Sequence, residues 1–92
     1  MDNFMTPREA IRNGLSASYM KVGKLLTAMK NGMTIDEEVK YNTFYKRLFN
    51  TKRGITADLW INAMDTLGYD IVLVKRKTGD RTRIYSDGDF EL

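Results

Sequence analysis

From Thr6 to Gly68 the apolar residues recur at three- and four-residue spacing, and after Asp70 they crowd into a β-branched run. The first pattern predicts helices and the second a strand. Thr6-Pro7-Arg8-Glu9 supplies a capping hydroxyl, a proline at the first helical position and a glutamate at the third, which predicts a short helix from Pro7 to Asn13 stopping at Gly14. Ser16 then caps a second segment in which Tyr19, Val22, Leu26 and Met29 line one face, with Gly32 as the stop. Lys21, Lys24 and Lys30 fall outside that stripe. Thr34-Ile35-Asp36-Glu37 reads as another capping box. After it, Ile35 and Val39 lead into Tyr41, Asn42 and Thr43, where a continuous helix and a break with Asn42 or Thr43 as a fresh cap are equally readable. Phe44 and Leu48, with Phe49 beside them, form the inward face of the next segment, and Asn50 to Gly54 is a basic turn. Thr56 caps a last helix with Asp58 in its first turn, whose Leu59, Trp60, Ala63, Met64 and Leu67 face inward before Gly68 ends it.

Beyond Asp70, "DIVLVKRK" and the alternating "RTRIYS" flank a Thr78-Gly79-Asp80 turn, so Ile71 to Lys77 and Arg81 to Ser86 read as a hairpin. The expected fold is mainly α, with four to five short helices followed by a C-terminal antiparallel β-hairpin. A chain of 92 residues supports one core, so residues 1–92 form a single domain: a helical part over about 6–68, a hairpin over about 70–86 and an acidic tail over 87–92.

Composition narrows the chemistry. There is no cysteine and no histidine, which removes disulfides, thiolate nucleophiles, His-based acid/base work and His- or Cys-ligated metals. No cofactor is expected. Asp36, Glu37 and Glu38 stand side by side at a helix start, where they complement the dipole and cannot converge on one substrate. Ser16 and Ser18 lack a histidine partner, and "NTKRG" lacks the order of a phosphate-binding loop. The expectation is a non-enzyme without a small-molecule substrate. No apolar run approaches the roughly 18 residues of a membrane span, and Met1 to Met5 do not begin a signal peptide, so a cytoplasmic protein with no membrane partner is expected.

Charge is unevenly placed. Residues 1–39 balance five basic groups against five acidic ones, whereas residues 40–83 carry ten basic groups against four acidic. Asp87, Asp89 and Glu91 make the end of the chain acidic. Basic charge gathered in one half favours a polyanionic partner, and a solvated surface with a chance imbalance explains it equally.

"TFYKRLFNTKRGITADLWINAMDTLGYDIVLV" resembles the lambda-repressor-like helix-turn-helix family of the Cro and repressor type. The resemblance rests on Arg47-Leu48, the basic turn from Asn50 to Gly54, the capped helix from Thr56 and the exit Leu67-Gly68-Tyr69. "KNGMT" at Lys30 to Thr34 is similar to the end of the family's first helix, and "DIVLVKRKTGD" to small phage-type members that add a strand or hairpin. The likeness covers roughly residues 17 to 80. It implies a helix-turn-helix-like bundle that binds double-stranded DNA as a homodimer and regulates transcription by occupying an operator. One departure stands out. The family fits a second helix, a tight turn and the start of the recognition helix between Thr34 and Arg47, where this chain has only Ile35 to Lys46, so the second helix is about a turn shorter or absent.

By that resemblance Tyr41, Asn42, Tyr45 and Lys46 contact bases in the major groove, because asparagine suits adenine, lysine suits guanine and tyrosine reaches phosphate or an apolar edge. Arg47, Lys52 and Arg53 then hold phosphates. Lys75, Arg76, Lys77, Arg81 and Arg83 surround the hairpin turn and offer a second set of phosphate contacts. The plainer readings are that Tyr41 and Tyr45 cover the core, and that hairpin charges guard edge strands or flank a dimer contact. Six methionines read chiefly as core filling, with Met20, Met29, Met33 and Met64 on or near apolar stripes, and Trp60 reads as core. A rival function keeps the scaffold and changes the partner: a phage-encoded inhibitor of anti-CRISPR type that binds a host protein or ribonucleoprotein. Its motivation is the eroded second helix, the clustered Tyr41, Phe44, Tyr45 and Phe49, and the acidic tail.

Overall fold

The computed structural model describes residues 4–50 and 52–88. Four helices, α1 (Pro7–Ala17), α2 (Val22–Asn31), α3 (Tyr41–Phe49) and α4 (Ala57–Thr66), precede a two-stranded antiparallel sheet of β1 (Ile71–Val74) and β2 (Arg81–Ile84). The mainly α architecture with a terminal hairpin is therefore the one the periodicity predicts. Among the described residues no helix is long and apolar enough to cross a membrane.

Two helix starts follow their sequence signals closely. Thr6 Oγ1 accepts the Glu9 N–H at 3.2 Å and Thr56 Oγ1 accepts the Leu59 N–H at 3.4 Å, each satisfying an amide that has no partner inside its helix. The first helix differs from expectation at its far end. It runs through Gly14 to Ala17, so Gly14 is not a stop and Ser16 is not a cap. Gly14 instead lies where α1 meets the end of α4: a Cβ there would sit 3.0 Å from Leu67 Cδ1 and 3.3 Å from Tyr69 Cε2. The missing side chain serves close packing between elements, and the second helix consequently starts at Val22, with Lys21 as an N-cap that makes no side-chain bond. Tyr19, expected on the apolar stripe, ends up in the turn and 98% exposed.

The capping box at Thr34 makes no helix. Residues 34–40 form bends and a turn, and α3 begins only at Tyr41 with Lys40 as its uncapped start. The hydrogen bonds a helix would need there are diverted. Thr34 Oγ1 donates back to the Met29 carbonyl at 3.1 Å, the Thr34 carbonyl accepts from Asn62 Nδ2 at 3.1 Å, and the Glu38 N–H goes to Asp36 Oδ1 at 2.8 Å. An aspartate that binds its own backbone two residues on makes a turn in place of a helix start. Met33, expected near the apolar stripe, is 75% exposed beside this turn.

One core joins every helix: Ile11 and Leu15 of α1, Leu25, Leu26 and Met29 of α2, Ile35 of the intervening turn, Phe44 and Leu48 of α3, and Leu59, Ala63, Met64 and Leu67 at α4. Met20, Val39, Phe49 and Trp60 pack against its margin. Helix α4 is the hub, packing on α1, α2 and β1. The strands pair in the register Ile71 with Ile84 through Val74 with Arg81, shorter than the pattern predicts because Arg76 to Thr78 already turn. The first acidic tail residue, Asp87, is docked, its N–H donating to the Asp58 carboxylate at 3.0 Å; Asp89 and Glu91 lie outside the described residues.

Candidate nucleic-acid interface

Helix α3 has two faces with different tasks. Phe44 and Leu48, four residues apart, are fully buried and fasten it to the core. Tyr41, Asn42, Tyr45 and Lys46 lie on the other side and, with Asn50, line a shallow depression of about 250 Å³. The four residues expected to read bases are thus brought together on one exposed surface.

That surface is built around an aromatic ladder. Tyr41 and Tyr45 rings stand 6.0 Å apart at 35°, and Tyr45 meets Phe49 edge-on at 5.3 Å and 63°. Spacing of four residues stacks side chains along a helix, and offset or edge-on rings suit the aromatic quadrupole. At one end the Tyr41 ring leans on α2, lying 3.7 Å from where a Cβ on Gly23 would be. At the other end the Arg12 guanidinium of α1 sits 4.9 Å above the Phe49 ring. Both ends are braced by other helices, so the tyrosines serve as packing and as surface together. Sequence reasoning did not single out Arg12, because nothing local to α1 points to Phe49.

The cations near α3 divide by role. Lys46 and Arg47 occupy its last turn, where positive charge complements the carbonyl end of the helix. Both are exposed, as are Lys52 and Arg53 in the following turn. Arg8 reaches from α1 to donate through its guanidinium to the Arg53 carbonyl, which ties that turn to the body. The acidic Asp36, Glu37 and Glu38 lie in the turn before α3, with Asp36 held by its own backbone bonds.

At the hairpin, Lys75, Arg76, Lys77 and Arg81 are exposed around the tip. The tip itself is well bonded. Lys75 N–H donates to the Asp80 carbonyl at 2.8 Å, Gly79 N–H to the Lys75 carbonyl at 2.7 Å, and Thr78 Oγ1 to Asp80 Oδ2 at 2.9 Å, with Gly79 at a φ of 75°. Arg83 separates from this group. It pairs with Asp65 at 3.2 Å and Asp70 at 3.0 Å and lies 4.8 Å over the Tyr85 ring, fastening the hairpin to α4. The five-cation cluster of the sequence is therefore four exposed charges and one structural arginine.

Asn62 is the polar residue that pattern reading missed. It is 5% exposed in α4, donating to the Thr34 and Gly88 carbonyls at 3.1 and 3.2 Å and accepting from Ser86 Oγ at 2.6 Å. Its only sequence signal is a polar residue among apolar neighbours, which does not name its partners. No protein-family model, no curated protein and no solved structure matches this chain.

Proposed function

We propose that this protein is a small DNA-binding regulator that docks the exposed face of α3 in a major groove and acts as a homodimer on an operator. The observation that supports this most is the shared surface of Asn42, Tyr45 and Lys46, anchored from behind by Phe44 and Leu48. Asparagine and lysine on a rigid helix supply donors and acceptors that distinguish base edges. Arg47, Lys52 and Arg53 beside the helix, and Lys75, Arg76, Lys77 and Arg81 at the hairpin tip, supply phosphate contacts. Without a helix between α2 and α3, docking depends on α3 and the cations, not on a two-helix clamp.

Titration of random and genomic duplexes at about 50 and about 200 mM salt tests the reading, since phosphate-dominated affinity falls steeply over that range. Lys46→Ala is expected to flatten sequence preference by about tenfold, the scale of one lost base contact. Lys52→Ala is expected to weaken all duplexes alike and to lower the salt slope by about one. Equal effects of the two variants on preference and slope would count against the assignment.

A second reading draws on the aromatic ladder: exposed Tyr41 and Tyr45 backed by Phe49 suit a protein surface as well as a groove. In that case the protein is an inhibitor of a host effector protein or ribonucleoprotein. Capture of one defined effector from nuclease-treated lysate, abolished by Tyr45→Ala and accompanied by no preference among duplexes, would favour it.

A further inference from the structure

The exposed face of α3 carries more aromatic surface than the edges of paired bases can cover. In a duplex the bases lie stacked on one another, so a helix in the major groove meets their edges while the flat faces stay hidden. Tyr41 is nonetheless 48% and Tyr45 36% exposed. An unpaired base presents a whole face to such rings, and stacking there tolerates any base. The rings are also fixed in place. Tyr41 rests against α2 at Gly23, and Tyr45 meets the Phe49 ring edge-on at 5.3 Å, which in turn lies under the Arg12 guanidinium at 4.9 Å. A base needs about 3.5 Å of clearance from a ring on each side. With centroids 6.0 Å apart, the two tyrosines leave no room for a base between them, so stacking takes place from beside the ladder.

That side is the depression of about 250 Å³. Tyr41 and Tyr45, four residues apart, form one wall, and Asn42, Lys46 and Asn50, at the same spacing, form the other. The second wall suits the edge of a base, because each asparagine amide carries both donors and an acceptor. All the lining residues are neutral or basic. Arg47 and Lys52 are exposed toward the C-terminal end of α3, whereas Asp36, Glu37 and Glu38 precede its start, so the phosphates of a strand are drawn to the Lys46 to Lys52 end. We propose that this face binds single-stranded nucleic acid, DNA or RNA, taking one unpaired base into the depression. The base stacks against the tyrosine wall, its edge meets Asn42 and Asn50, and its flanking phosphates lie on Lys46 and Lys52.

The proposal rests on the reading of α3 as a nucleic-acid surface and adds a ligand class to it. Its test is fluorescence anisotropy of the whole chain with oligothymidylate, oligouridylate and a mixed-sequence duplex, each of about ten nucleotides or base pairs, at about 50 mM salt. Tyr45→Leu, which keeps apolar bulk and removes the ring, is expected to weaken single-strand binding about tenfold or more and duplex binding less than about threefold, with circular dichroism unchanged. Tyr45→Phe is expected to stay within about threefold of the native chain on every probe, since the ring is kept. A 2-aminopurine placed in the oligothymidylate is expected to lose emission on binding, because stacking on tyrosine quenches it, and this readout needs no variant. Preference for oligouridylate would identify RNA as the strand and preference for oligothymidylate DNA, and either supports the inference. Binding of the duplex with no affinity for either single strand would overturn it and leave the duplex reading intact, whereas failure of all three probes would overturn both. Equal losses for single strand and duplex in Tyr45→Leu, with 2-aminopurine emission unchanged, would reduce Tyr45 to packing and overturn it as well.

Discussion

Tyr19 and Met33 hold positive φ angles, 51° and 55°, in the left-handed region that L side chains rarely adopt. Each stands one residue past its helix cap in the same closing pattern. Met20 N–H bonds the Leu15 carbonyl at 2.9 Å with Tyr19 N–H to Ser16, and Thr34 N–H bonds the Met29 carbonyl at 3.0 Å with Met33 N–H to Lys30. The exit of α4 repeats it with Tyr69 to Met64 and Gly68 to Asp65, and there glycine, at a φ of 93°, takes the strained place. Gly32, though adjacent, is the cap residue with a φ of −82°, because Thr34 is held by Met29 on one side and Asn62 on the other and sets where the helix ends. Relief of left-handed strain, roughly 1–2 kcal/mol, outweighs the extra chain entropy of glycine. Met33→Gly is therefore expected to raise unfolding stability by about 0.5 kcal/mol, read as a higher urea midpoint at unchanged slope.

At the level of elements, the crossing of α1 with the end of α4 depends on Gly14 having no side chain. Leu67 and Tyr69 occupy the space a Cβ would need, and Leu67, the nearer of the two, is buried in the core and cannot move far. A branched side chain would push α1 away from α4 and disturb Ile11 and Leu15, which lie on the same helix. Gly14→Val is expected to destabilise by about 2 kcal/mol, the usual scale of overpacking, visible as a lower melting temperature in calorimetry. Helix α3 is held by fewer buried residues, Phe44 and Leu48, with Arg12 over Phe49 and Tyr41 against Gly23 supporting its two ends. Among the described residues no other helix or strand crosses its outer face, which carries the exposed Tyr41, Asn42, Tyr45 and Lys46.

Across the whole molecule, Asn62 joins three segments distant in sequence: the exit of α2 at Thr34, helix α4, and the chain after β2 at Ser86 and Gly88. Arg83 adds a second tie from the hairpin to α4 through Asp65. The α4–hairpin junction is thus polar at its fastening points, while the rest of the core is apolar. Asn62→Ala would remove the donor from the Thr34 and Gly88 carbonyls and the acceptor from Ser86 Oγ, a loss of about 2 kcal/mol for the three bonds together. Faster amide exchange at Asp87 than at Leu59 is the accompanying expectation, because Asp87 bonds Asp58 only while the segment after β2 stays docked.

Where a signal and its partner lie within a few residues, the sequence alone determined the outcome. Thr6 with Glu9, Thr56 with Leu59, Gly68 at the end of α4 and the Thr78-Gly79-Asp80 turn are cases of this kind, and so is the burial of Phe44 and Leu48 at helical spacing. The exposed set Tyr41, Asn42, Tyr45 and Lys46 was legible for the same reason, as the other side of that helix. Tertiary structure decided the rest. Gly14 could be a stop or a contact point until Leu67 and Tyr69 were placed beside it, and Thr34 could cap a helix until Asn62, 28 residues away, took its carbonyl. Arg83 was one cation among five until Asp65 and Asp70 met it. A hydrogen bond or ion pair forms with whichever group the fold brings within reach, and that choice is absent from local propensity.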